Sequence, residues 1–129
     1  MKAVNNIIIL NRGDTYEFDL TIIDENSASA RYRLTENDTL YFGLMDPGQP
    51  FEQALVRKRY TVDDTDEMGN LVICLEPEDT LDLLPGKYFY AVKLQLDHAE
   101  LDTETQQPTG RRINKVITII NKTKFIICD

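Results

Sequence analysis

The stretch Lys87–Leu96, KYFYAVKLQL, carries Tyr88, Tyr90, Val92, Leu94 and Leu96 at every second position. Side chains of a strand alternate between the two faces of a sheet, so this run predicts a β-strand with one face in a core. Just before it, LEPEDTLDLLPG (Leu75–Gly86) places Pro77 ahead of acidic residues and stops at Pro85-Gly86, which predicts one short helical turn. Period-two alternation recurs upstream. TYEFDLTII sets Tyr16, Phe18, Leu20 and Ile22 against Glu17, Asp19 and Thr21, and TLYFGLM sets Leu40, Phe42 and Leu44 against Tyr41, Gly43 and Met45. In LVICL (Leu71–Leu75) both faces are apolar, which predicts a central strand covered on both sides or an intersubunit face.

Between these runs lie turn signals. DENSAS follows Ile23, and DPGQP (Asp46–Pro50) holds prolines and a glycine that cannot continue a sheet ladder. Strand character returns over Ala54–Val62. The polar segment Asp97–Arg112, with Pro108 and Gly110, reads as an exposed hairpin loop, and Ile113–Asp129 supplies one or two final strands. No heptad, internal repeat or linker interrupts the pattern. About seven to eight short strands with turns roughly every ten residues predict an all-β antiparallel sandwich, a single domain over residues 1–129. Phe18, Leu20, Phe42, Ile73, Tyr90 and Val92 are expected to meet in its core.

Composition agrees with a globular domain: 129 residues, 42% hydrophobic and 28% charged, with a net charge of −8. Such a field repels phosphate backbones and anionic lipids. The basic clusters Arg57-Lys58-Arg59 and Arg111-Arg112-Lys115 are short and lack interleaved aromatics, so they are expected on solvated faces, with no nucleic-acid or membrane partner. The opening MKAVNNIIILN has an apolar run too short for a signal-peptide core or a membrane span. Cys74 and Cys128 are expected to be free and buried, as in a protein made in a reducing compartment. Asn37-Asp38-Thr39 and Asn121-Lys122-Thr123 match the glycosylation pattern, but nothing else points to a secretory route.

The catalytic inventory is poor, and no enzyme, cofactor or metal is expected. His98, the single histidine, reads as a loop residue, and Ser27 and Ser29 lack a glycine-framed nucleophile motif. Cys74 reads as an inert core thiol. Asp64, Asp66 and Gly69 have part of a calcium-loop spacing, yet Met68 and Leu75 occupy ligand positions, so a hairpin turn is expected there.

Leu10–Phe18, LNRGDTYEF, contains Arg12-Gly13-Asp14, a tripeptide that animal cell-surface receptors of the integrin type can read on a loop tip. The strand that follows at once predicts instead a structural turn, Arg12, Gly13, Asp14 and Thr15, with Gly13 at an unusual backbone angle and Asp14 or Thr15 holding it through side-chain hydrogen bonds. LEPEDT is also close to a stretch in antibody variable domains, but the core tryptophan and second cysteine are missing. The shared feature is geometric, a short acidic turn crossing between the sheets of a sandwich.

Taken in order, RGDTYEFDLTIIDE, LTENDTLYFGLMDP, LEPEDTLDLLPGKYFYAVKL and ITIINKTKFIICD resemble the immunoglobulin-like N-terminal domain of siphophage upper baseplate proteins and related prophage tail proteins. The resemblance implies an immunoglobulin-like sandwich and a noncatalytic virion component, made in a bacterial cytoplasm, whose partners are other virion proteins and further copies of itself. The apolar chain ends, with Ile7, Ile9, Phe125 and Ile127, are expected either to fill the chain's own core or to form an assembly edge that meets a neighbour. The rival reading is a carbohydrate- or protein-binding module acting through loops such as Asp46–Gln53 or Asp97–Arg112.

Overall fold

Alternating apolar residues give each sheet one face that must be covered, and in this chain two sheets cover each other. The computed structural model describes residues 1–25 and 30–129, so Ser27 and Ser29, with most of the DENSAS turn, lie outside the described residues. The strands are β1 (Lys2–Ala3), β2 (Ile8–Asn11), β3 (Tyr16–Leu20), β4 (Ile22–Asp24), β5 (Ala30–Tyr32), β6 (Thr39–Met45), β7 (Val56–Tyr60), β8 (Leu71–Leu75), β9 (Gly86–Leu101) and β10 (Pro108–Cys128). One α-helical turn, α1 (Pro77–Leu81), lies between β8 and β9.

One layer is a five-stranded sheet in the order β2-β10-β9-β6-β7; the other is built from β3-β8 and β1-β4-β5. The fold is thus an all-β sandwich. It has ten strands among the described residues where about seven to eight are expected, and its pairing differs from the expected pattern as well. TYEFDLTII is broken at Thr21 into β3 and β4, which pair with different partners. The β2–β10 pair is parallel, with Phe125 opposite Ile8 and Ile127 opposite Leu10, whereas every other pair among the described residues is antiparallel.

The core forms where the layers meet. Leu20, Phe42, Ile73, Tyr90 and Val92 are buried as expected, and Phe18 packs half-buried against them with its ring 6.2 Å from Tyr90 and 6.4 Å from Phe42. Phe42 stacks on Tyr90 at 5.8 Å, and Phe125 meets Tyr90 edge-on at 6.3 Å. Such tilted and offset arrangements suit the ring quadrupoles. Burying the Tyr90 hydroxyl requires a partner, and it donates to the Asn6 carbonyl at 2.6 Å.

The acidic turn crosses between layers, from β8 to β9. Pro77 sits in its first turn, where a missing N–H costs nothing, and the Asp79 carboxylate accepts the Glu76 N–H at 2.7 Å. Three residues past α1, the Leu84 carbonyl accepts the Tyr88 hydroxyl at 2.6 Å. A tyrosine near the start of a strand thereby straps the strand to its own entry loop, as in the corners of sandwich domains.

Two expectations are corrected. β8 is not a central strand: its one strand partner among the described residues is β3, and Val72 on its outer face is exposed. Nor is Asp97–Arg112 a loop. β9 continues to Leu101 and β10 starts at Pro108, so His98 pairs with Ile113 inside a ribbon and only Asp102–Gln107 turns. Asp102 holds that turn, its carboxylate accepting the N–H groups of Glu104 and Thr105 at 2.8 and 3.1 Å.

Candidate functional site

The Arg12–Thr15 turn is built into the sandwich. Gly13 has φ +82°, the left-handed region that glycine enters without strain, and the Asp14 N–H donates to the Asn11 carbonyl at 3.0 Å. The side chain that holds it belongs to neither Asp14 nor Thr15. Thr80, buried in α1, accepts the Gly13 N–H on its hydroxyl at 2.9 Å. Arg12 reaches the Asp129 carboxylate at 2.9 Å, while its N–H donates to the Cys128 carbonyl at 2.7 Å. The tripeptide therefore joins its own turn to two distant segments, α1 and the end of β10.

The expected assembly edge divides. Phe125 and Ile127 are buried, on a strand flanked by β2 and β9, and so belong to the core rather than to an edge. Ile7 and Ile9 are 58% and 65% exposed, beside the free edge of β2. Period two explains the split: Ile8 and Leu10 face inward, which turns Ile9 out.

Cys74 is not in the core. It lies half-buried on the outer side of β8, with its sulfur 3.2 Å from Glu76 Oε1 and 3.7 Å from Glu17 Oε1. Desolvation, then the hydrogen bond and negative charge of Glu76 with Glu17 behind it, push the thiol up to about 11. It is held protonated, which weakens it as a nucleophile. Cys128 is also free and half-buried. In the acidic run, Asp66 Oδ1 accepts the N–H groups of Met68 and Asn70 at 2.9 and 2.8 Å, closing the expected turn. Among the described residues no group of three or more His, Cys, Asp or Glu side chains is placed to hold a metal ion, and no helix is long and apolar enough to cross a membrane.

One concavity of the molecule is not legible along the chain. It lies on the outer face of the five-stranded sheet, where the register sets Arg59, Tyr41, Lys93 and Thr118 in one row across β7, β6, β9 and β10. Above that row, the loop Asp46–Gln53 folds down onto the sheet. Its Phe51 ring packs on Gly43, where an added Cβ would stand 2.7 Å from the ring, so the loop needs a residue without a side chain at that point. Lys122 fastens the loop by donating to the Gln49 carbonyl at 2.7 Å, and Met45 and Ala91 are buried although they point away from the core. The uncovered remainder is a groove of about 650 Å³ lined by Tyr41, Phe51, Arg57, Arg59, Lys93 and Val116, with Glu52 as its acidic side chain.

Its electrostatics oppose those of the whole molecule. Lys93 stands 4.8 Å from the centre of the Phe51 ring, a cation–π contact, and Arg57, Arg59 and Lys93 form no ion pair among the described residues. Lys58, between the two arginines, turns the other way to bind Asp79 of α1 at 2.7 Å. Burial alone would lower its pKa, but the Asp79 hydrogen bond and charge outweigh that and raise it. Next to it, Tyr60 accepts the Cys74 N–H at 3.2 Å, so β7 closes one side of the sandwich by side chains rather than by a ladder. The Arg57-Lys58-Arg59 cluster thus does meet aromatics, Tyr41 and Phe51, but across strands.

A second residue missed in the sequence is Asp38, which is buried and accepts the hydroxyl of Tyr32 and, at 2.9 Å, the Thr35 N–H. Burial, followed by the Asp38 contact, raises the Tyr32 pKa. The pair ties the chain between β5 and β6 and has no access to the groove's chemistry. Comparison with protein families, with curated proteins and with solved structures returns no match to this chain.

Proposed function

We propose that this chain is a noncatalytic structural component of a phage or prophage particle, an immunoglobulin-like sandwich acting in tail or baseplate assembly. The observation that carries the reading is the Gly13–Thr80 hydrogen bond. It joins the RGDT turn to the PEDT turn, two of the motifs on which the resemblance rests, and the Tyr88 strap adds the PGKYFY segment to the same unit. Motifs that are short along the chain are thereby one structural device, which supports reading them together. The five-stranded layer with a tyrosine strap at its crossover supports the immunoglobulin-like topology.

A structural role also accords with the guarded Cys74 thiol, and two free cysteines accord with synthesis in a bacterial cytoplasm. The partners are other virion proteins and further copies of this chain, met in part through the open β2 edge, where exposed Ile7 and Ile9 offer apolar contact. The test is direct: particles purified by density gradient from a lysate of the encoding strain are analysed by quantitative mass spectrometry. A fixed stoichiometry of this chain to the major tail protein is expected. Its absence from particles while it accumulates in the soluble fraction would overturn the assignment.

A further inference from the structure

The groove concentrates three cations without an ion-pair partner among the described residues on a molecule whose net charge is −8, so whatever fills it is selected by local charge against the overall field. Its walls are also apolar, with Tyr41, the Phe51 ring and Val116, which is 59% exposed. The complement is therefore an element that carries carboxylates and protruding aliphatic side chains together. The same chain displays one. The acidic turn Glu76–Leu84 holds Glu76, Glu78 and Asp82 exposed, and beside them Leu81 and Leu84 stand 56% and 76% exposed.

We propose that the groove of one copy receives the acidic, leucine-bearing turn of a second copy. The turn cannot fill its own groove, because within one copy Asp79 is held by Lys58 and Thr80 by Gly13. The contact joins two different patches. It is heterologous, and repetition of it generates a ring if the rotation closes and an open helix if it does not. This surface is separate from the β2 edge and does not depend on the particle reading. Leu81 and Leu84 enter between Tyr41 and Val116, Glu78 and Asp82 meet Arg57 and Arg59, and Lys93 remains stacked on Phe51. Copies of like net charge repel at long range, so the contact is weak in dilute protein and gains from the multivalency of a closed assembly.

Charge exchange tests this at fixed ionic strength near 0.1 M, where repulsion beyond about 10 Å is screened. Sedimentation velocity over a wide concentration range should show association of the wild type. Arg57→Glu/Arg59→Glu and Glu78→Lys/Asp82→Lys should each weaken it by about tenfold or more, and the combined variant, with the original net charge, should restore it. The second pair is the discriminating one, because it makes the chain less negative and general repulsion would then predict stronger association. Amide shifts of the wild type on dilution, read by NMR, should fall on Tyr41, Lys93, Leu81 and Leu84, which covers the case of a variant that fails to fold. A strict monomer at all concentrations, dilution shifts confined to Ile9 and its neighbours, or a combined variant that stays dissociated would each overturn the proposal.

Discussion

Gly13 shows how one backbone angle decides the role of a motif. A side chain at φ +82° is strained, and a Cβ there would stand 3.2 Å from Leu81 Cδ1, so Gly13→Val should cost about 1–3 kcal/mol. Thr80→Val, which leaves the Gly13 N–H without its acceptor, should cost a similar amount, about 1–3 kcal/mol. Arg12→Ala removes only a surface ion pair with Asp129 and should stay within about 1 kcal/mol. Urea unfolding of the three variants separates the cases: a large loss for Arg12→Ala with none for Gly13→Val would return the tripeptide to a side-chain role. Cys74 carries a second expectation at this scale. With its thiol near 11, alkylation at pH 8 in a Cys128→Ser background should run roughly tenfold slower than for a free thiol. Glu76→Gln should speed it by removing the neighbouring carboxylate, and an unchanged rate would show that burial alone protects the sulfur.

At the scale of the element, the final strand is the most informative. β10 runs from the solvated ribbon into the core, and irregularities at Thr118–Ile120 and Ile120–Thr123 shift its register so that Ile119, Ile120, Thr123, Phe125 and Ile127 are all buried. Deleting Lys124–Asp129 removes two core side chains and the whole partner of β2. Loss of a buried phenylalanine alone costs about 3–5 kcal/mol, so the truncated chain should not fold cooperatively in a thermal melt. Ile9→Lys, on the exposed side of β2, should melt within a few degrees of the wild type and lower light scattering at high protein concentration. Equal scattering would leave the β2 edge without a role in association. The ribbon has the sequence character of a loop for a physical reason. Residues 101–112 are exposed on both faces, and a ribbon that buries nothing leaves no apolar alternation to read.

The whole molecule responds to alkali as a unit. Of six tyrosines, Tyr32, Tyr60, Tyr88 and Tyr90 have raised pKa values, in each case first because burial disfavours the phenolate. The folded state keeps these phenols neutral to a higher pH than the unfolded chain does. Their contribution is therefore intact below the unfolded value of about 10 and is lost as pH rises through the folded values. Lys58, raised by Asp79, adds a loss of the same sign above about 10.4. Stability should thus be flat through neutral pH and fall steeply above about 10. Absorbance at 295 nm, followed with circular dichroism, should show most of the tyrosines ionising together with unfolding; independent titration of all of them before unfolding would contradict the burial.

The sequence by itself determined the strands with one wet and one dry face, the acidic turn before Tyr88 and the positive angle at Gly13. Each of these is written in neighbouring residues: alternation at Tyr88–Leu96, Pro77 with its acids, a glycine at the mouth of a strand. Only the tertiary structure decided what lies beside what. Leu71–Leu75 looked doubly covered because Val72 and Cys74 are apolar, but the cover is a property of the sheet opposite. Phe125 and Ile127 fit a core or an edge equally well along the chain, because the parallel partner that encloses them is more than a hundred residues away. Arg57 and Arg59 have no aromatics interleaved with them along the chain and acquire Tyr41 and Phe51 from β6 and the folded-down loop. Strand pairing brings together residues of arbitrary sequence separation, and a groove formed across four strands has no local signature to read.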